Sequence, residues 1–149
     1  MDIFRALHVS ASGLAAQRTR MDVVAENLAN SETTTTATGG PYRRKLVFLE
    51  AARASGLLDP TRGTGFLDEL GAASNGVRVA EIRESPEAPR RVFQPDHPHA
   101  GPDGFVALPN VSPLKEMVDM MLSTRAYEAN ATAFQATKTM GARLLELLR

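Results

Sequence analysis

The chain has 149 residues, 17 of them basic and 17 acidic, and a formal net charge of zero. That size suits one ordinary domain with a modest core, and balanced charge supplies no global field to recruit nucleic acid or an anionic membrane. With no cysteine there is no disulfide frame, no thiol nucleophile and no cysteine-built metal site.

The opening residues, Met1-Asp2-Ile3-Phe4-Arg5-Ala6-Leu7, lack a basic segment followed by a long apolar run, so no cleavable secretory signal is expected. No stretch reaches the roughly 18 apolar residues of a membrane span. Proline then divides the chain, because all 9 prolines lie from Pro41 to Pro113. Inside a helix, proline removes a donor and clashes with the preceding turn, at about 3 kcal/mol. Three parts follow: an N-terminal helix in residues 1–30, a β-rich centre in 31–111, and a C-terminal helix in 112–149.

The first helix is predicted from about Ile3 to Asn30, with Asp2 placed to cap it. Leu7, Leu14, Met21 and Leu28 recur at sevens beside a companion column of Phe4, Ala11 and Ala25, interrupted by Arg18. This is a heptad seam, on a rod on the order of 40 Å long. The polar run Thr33 to Thr36, branched at Cβ, ends the helix.

The centre reads as short strands joined by turns. Lys45 to Leu49 is a compact apolar run, and Val77 to Ile82 alternates with a change of phase that suggests a bulge. Arg91 to Phe93 and Phe105 to Leu108 are further strand candidates. Between Ser55 and Gly76 five glycines mark a long loop.

The last helix is predicted from Ser112-Pro113, where Ser caps and Pro fits the first turn, to about Leu148. Met120, Tyr127, Phe134, Gly141 and Leu148 fall at sevens. Met117, Ala131 and Leu145 lie in the next column, completed by Thr124 and Lys138. The fold class expected is α+β: long terminal helices paired as an antiparallel, coiled-coil-like hairpin, with a small irregular β-rich region between them. A hairpin covers only one stripe per helix. Ile3, Val9, Val24, Val118, Met121, Leu122, Leu144 and Leu147 lie off the main seam, and further copies of the chain would cover them.

Residues suited to catalysis are few. Asp96, His97, His99 and Asp103 share a proline-rich loop and are the candidate ligands for a divalent metal. Against that stands a rigid structural turn, since no third fixed element supplies a ligand. His8, on the first helix, reads as a packed or solvent-facing residue. Arg43-Arg44-Lys45 and Arg90-Arg91 read as charged flanks that keep strand edges soluble. Gly39-Gly40-Pro41 lacks the spacing and the Lys-Ser/Thr of a phosphate loop.

Several segments together carry a family resemblance. Ala25-Glu26-Asn27-Leu28-Ala29-Asn30 resembles the Asn-rich signature that closes the N-terminal helix of bacterial flagellar axial proteins: rod, hook and hook-associated subunits. Gly39 to Arg44, Pro95 to Pro98, Pro109 to Val111, and Glu116 to Met120 leading into Arg125 to Asn130 are similar to the proximal rod subunits in particular. Glu26 departs from the Asn often found at its position. Ser31 to Thr38 lengthens the usual turn after the signature, in a form that fits the proximal rod.

The resemblance implies a non-enzymatic structural subunit of the basal-body rod, the drive shaft that crosses the periplasm and transmits torque from motor to hook. It implies passage through the flagellar type III export apparatus without signal cleavage. It implies partners among other rod subunits and further copies of the chain. No cofactor, metal, nucleic acid, membrane span or small-molecule substrate is expected. The assembly interface expected comprises Phe4, Leu7, Ala11, Leu14, Met21, Ala25 and Leu28 on the first helix. On the last it comprises Met117, Met120, Tyr127, Phe134, Gly141, Leu145 and Leu148. Asn27, Asn30 and Asn130 are proposed polar register-setters, or alternatively helix-end caps or solvated amides. Two other functions fit parts of the sequence: a cytoplasmic helical-hairpin adaptor, and a small metal-dependent enzyme built on the Asp96/His97/His99/Asp103 loop.

Overall fold

The computed structural model describes residues 3–37, 39–52 and 76–147. The expected Asp2 cap, the terminal Leu148 and nearly all of the glycine-rich segment lie outside the described residues. The elements in chain order are α1 (Ile3–Ala29), β1 (Lys45–Ala51), β2 (Val77–Glu84), β3 (Arg90–Phe93), β4 (Phe105–Leu108) and α2 (Pro113–Leu147). The class is α+β, as the sequence predicts. Both helices are free of internal proline, Pro113 standing at the first position of α2, where its missing N–H breaks no helical bond.

β1 pairs with β2, and β3 with β4, as separate two-stranded sheets. Ser85 N donates to Arg44 O at 2.7 Å, and Ala52 N to Gly76 O at 2.9 Å, so β1 and β2 run antiparallel. β2 continues as one strand through the change of phase noted at Val79–Ala80. β3 and β4 are antiparallel too, with Arg90 opposite Leu108 and Phe93 opposite Phe105.

The chain forms two compact units. The first comprises residues 1–19, 49–80 and 124–149, and the second 20–48 and 81–123. In the first unit a Cβ at Gly141 would lie 3.5 Å from Ile3 Cγ2, and one at Gly13 only 3.0 Å from Asn130 Nδ2. The start of α1 thus meets the end of α2, an antiparallel pairing with backbones drawn close at glycine. The residues turned inward include Ile3, Ala6, Ser10, Gly13 and Gln17 on α1 and Tyr127, Asn130, Phe134, Thr137 and Gly141 on α2, all half-buried. Their steps alternate between three and four residues, the spacing of a coiled-coil seam.

In the second unit the same antiparallel sense holds, with Arg20 beside Asp119 and Asn27 bonded to Glu116. Val23, Val24, Tyr42, Val106 and Val111 form its small apolar core, so Val24, expected to be covered by further copies, is buried within the chain itself. The β3–β4 hairpin is closed by a run of turns from Gln94 to Gly104 and by an edge-to-face contact of Phe93 and Phe105, centroids 5.3 Å apart. Gly104 has φ +71°, and a Cβ there would press to 2.8 Å from the Phe93 ring, so this tight turn requires glycine.

Gly76 sits at φ +96°, where a Cβ would fall 2.2 Å from Ser12 Oγ. That hydroxyl is committed: it donates to Val9 O at 2.7 Å and accepts from Val77 N at 3.0 Å, pinning the start of β2 to α1. Gly76→Ala is expected to destabilise the chain by about 1–3 kcal/mol, combining the left-handed backbone with loss of the Ser12 bond. Denaturant unfolding followed by circular dichroism checks this. An unchanged midpoint would mean that the pinning contributes nothing.

Candidate functional site

The most constrained chemistry lies in the second unit, around the last turns of α1. Asn27 is 1 % exposed. Its Nδ2 donates to Lys45 O at 2.9 Å and to Glu116 Oε2 at 3.1 Å. Its Oδ1 accepts from the Tyr42 hydroxyl at 2.9 Å and from Lys45 N at 2.8 Å. A carboxamide has two N–H donors and two lone pairs on oxygen, and here all four are used. One side chain therefore holds α1, the approach to β1 and the first turn of α2 in a fixed register.

Glu116 is 0 % exposed, and a buried carboxylate persists only when paired. Arg44 supplies the charge through Nε, 2.6 Å from Glu116 Oε1, and its Nη2 reaches Asp119 at 3.5 Å. Arg20 approaches the other oxygen of Asp119 at 3.6 Å. In the first turn of α2, Glu116 also faces the positive end of the helix dipole. The backbone of Arg44 is held in turn: its N–H donates to Asn110 Oδ1 at 3.1 Å, and Asn110 Nδ2 donates to Ser85 Oγ at 3.1 Å. Lys45 Nζ closes the outer edge on Glu26 Oε1 at 2.5 Å. Asn30 continues the pattern beyond the helix, with Nδ2 donating to Glu26 O and Oδ1 accepting from Thr33 Oγ1.

Burial, reinforced by the carboxylates of Glu26, Glu116 and Glu84, pushes the Tyr42 phenol from its ordinary 10 up to about 12. Above pH 10 the unfolded chain loses this proton while the folded chain keeps it. The stability tied to the neutral phenol is thus fully present below pH 10 and is lost as pH rises towards about 12.

The residues expected at an assembly interface occupy three environments. Phe4, Ala11, Ala25, Met117 and Leu145 are exposed. Leu7, Leu14, Met21, Leu28, Asn30, Met120, Tyr127, Asn130, Phe134 and Gly141 are half-buried, and Asn27 is buried. The column of α2 turned inward beside Met120, Tyr127, Phe134 and Gly141 is Glu116, Ser123, Asn130 and Thr137. It lies one residue away from the apolar column Met117, Thr124, Ala131, Lys138 and Leu145 that hydrophobic periodicity selects. In the inward column Glu116 and Thr137 find partners, whereas Ser123 Oγ, like Gln17 Oε1 on α1, is buried with none among the described residues. The structural roles of Tyr42, Arg44, Lys45 and Asn110 escape the sequence reading. The available signal was the polar set Asn27 and Glu116 at inward heptad spacing, just where apolar residues belong.

The histidine loop is engaged locally. His99 Nδ1 lies 2.7 Å from Thr34 Oγ1, and His97 Nδ1 accepts from His99 N at 3.1 Å. Among the described residues no group of three or more His, Asp or Glu is placed to hold a metal ion. His8 is exposed on α1.

Asn27→Ala is expected to cost about 3 kcal/mol or more, since four buried or part-buried partner groups lose a bond at once. Arg44→Met alone strands Glu116 and should cost a similar amount, whereas Arg44→Met with Glu116→Leu should cost less than the sum by at least about 1 kcal/mol. Urea unfolding of the four chains measures the cycle, and strict additivity would dissolve the proposed coupling. In an alkaline titration, tyrosinate absorbance and unfolding should both show a component near pH 12 that Tyr42→Phe removes.

Comparison with known proteins places this geometry. The family described as Flagella basal body rod protein matches residues 7–36, and that described as Flagellar basal body rod FlgEFG protein C-terminal matches residues 103–147. The flagellar basal-body rod protein FlgC of Bacillus subtilis is 46 % identical, over 99 % of this chain and 99 % of its own length. That of Aquifex aeolicus is 43 % identical over 98 % of this chain and 97 % of its own. FlgC of Escherichia coli O157:H7 is 34 % identical over 99 % and 98 %. With similarity running through both helices, the polar lock and the strands between them, the chain belongs to the FlgC family of flagellar basal-body rod proteins.

Proposed function

We propose that the chain is a structural subunit of the flagellar basal-body rod, acting by packing and not by catalysis. The observation that carries this reading is the end-to-end similarity to rod proteins, at 46 % and 43 % identity for the Bacillus and Aquifex relatives. Those relatives are named for a place in an assembly and for no reaction.

In the finer reading, α1 and α2 join those of further copies and of other rod subunits, forming the shaft that crosses the periplasm and carries torque from motor to hook. Travel through the flagellar type III export apparatus without cleavage belongs to the same proposal. Two features support it. Large apolar side chains stand on the outer surface of both helices, with Phe4 at 81 %, Leu114 at 74 % and Leu145 at 72 % exposure, and such surface favours burial against protein. The second unit is held by a saturated polar network, which fixes helix register and resists sliding better than a greasy contact of equal area. Among the described residues no helix is long and apolar enough to cross a membrane.

Leu14, half-buried midway along α1, tests the helix interface. Leu14→Asp is expected to leave cellular protein levels near wild type while removing the chain from purified basal bodies and abolishing swimming. Normal motility with normal incorporation would remove α1 from the interface. Absence of the wild-type chain from purified basal bodies would overturn the rod role itself.

A further inference from the structure

The outer face of α2 in the second unit bears a compact apolar stripe. Leu114, Met117, Val118, Met121 and Leu122 are exposed by between 43 % and 74 %. Their spacing puts them on one side of the helix, opposite the buried Glu116 and Ser123. Among the described residues of the second unit, none covers them. We propose that this stripe docks on the outer face of α1, around Asp22, Ala25 and Ala29, in a second copy of the chain. The inference rests on the rod reading and goes beyond it by naming the two faces that meet.

Three observations select that occupant. The first is topological. A stripe that met the same stripe on another copy would form a closed, two-fold pair, whereas a rod grows only through contacts between different faces. The second is shape. Asp22, Ala25 and Ala29 are exposed on the side of α1 turned away from the buried Val23, Val24 and Asn27. Two alanines one turn apart leave a shallow groove in which long side chains approach the backbone, and Met117 and Met121 have the flexible, unbranched form to fill it. The third is charge. Lys115 is exposed beside the stripe, while Asp22 lies in the α1 face and Glu32 in the turn just beyond it, both exposed. None of these three takes part in the ion pairs among the described residues. A lysine at the edge of the knobs and two carboxylates at the edge of the groove orient the neighbour and disfavour like-on-like docking.

Because the chain has no cysteine, engineered thiols report the contact without background. Cells lacking the native copy would express the full chain carrying Met121→Cys, Ala25→Cys, both single variants together, or both changes in one chain. Basal bodies would be purified and oxidised. The expected result is a cross-linked pair from the mixed single variants, a ladder of multimers from the double variant, and little cross-linking from either single variant alone. Lys115→Asp should weaken the cross-link by about two- to fivefold, and adding Asp22→Lys should restore it. Efficient cross-linking of Met121→Cys to itself would overturn the proposal in favour of a two-fold contact. So would basal bodies that contain both variants and yield no cross-link, a result that leaves the rod reading standing. A chain absent from the basal bodies would defeat the rod reading and the docking with it.

Discussion

The second unit depends on one side chain's hydrogen-bonding capacity being filled without remainder. Asn27 has four positions to satisfy, and three residues from two other chain segments come to it to satisfy them. A buried amide tolerates little displacement, because each partner lost leaves a polar atom desolvated on both sides. The requirement spreads outward. Glu116 must be where Asn27 and Arg44 can both reach it, and Arg44 must be where Asn110 fixes its backbone. Tyr42 must enter with its hydroxyl foremost. The apolar core around these groups is small, so the network does much of the work of specifying a single arrangement.

This division of labour suits a subunit whose outer surface is meant for neighbours. A helix that spends its large apolar residues on an internal core has few left for assembly. Here the inward seam sets small and polar residues, including Ser10, Gly13, Asn130 and Thr137, among Ile3, Tyr127 and Phe134, while Phe4, Met117, Met121 and Leu145 stand outside. Small residues let the backbones of α1 and α2 come close in the first unit. Polar bonding sets their register in the second. In the proposed assembly the hydrophobic effect acts between molecules, where it is non-directional and strong, and the internal polar contacts supply direction.

The histidine loop shows how composition can suggest a site that geometry uses otherwise. Two histidines and two aspartates within a few residues satisfy the chemistry of metal ligation on paper. In the fold, both Nδ1 atoms face local partners: two threonine hydroxyls for His99 and a backbone amide for His97. The loop thereby fastens the end of the β3–β4 hairpin to the turn that follows α1.

By itself the sequence determined the two long helices, their limits near Ile3, Asn30 and Pro113, the β-rich centre and the α+β class. Proline placement and heptad spacing are local properties, and local properties survive without a structure. Phe105 to Leu108 was legible to the residue, since it is a short apolar run bounded by Gly104 and Pro109. The polar column that faces inward on α2 was not legible. Periodicity counts apolar residues, and the column that faces inward on α2 begins with Glu116 and continues through Ser123 and Asn130. Only tertiary structure could decide that a glutamate belongs there, because its burial depends on Arg44 and Asn27, respectively 72 and 89 residues away in the chain. A charge can be placed in a core only after its partners have been placed around it.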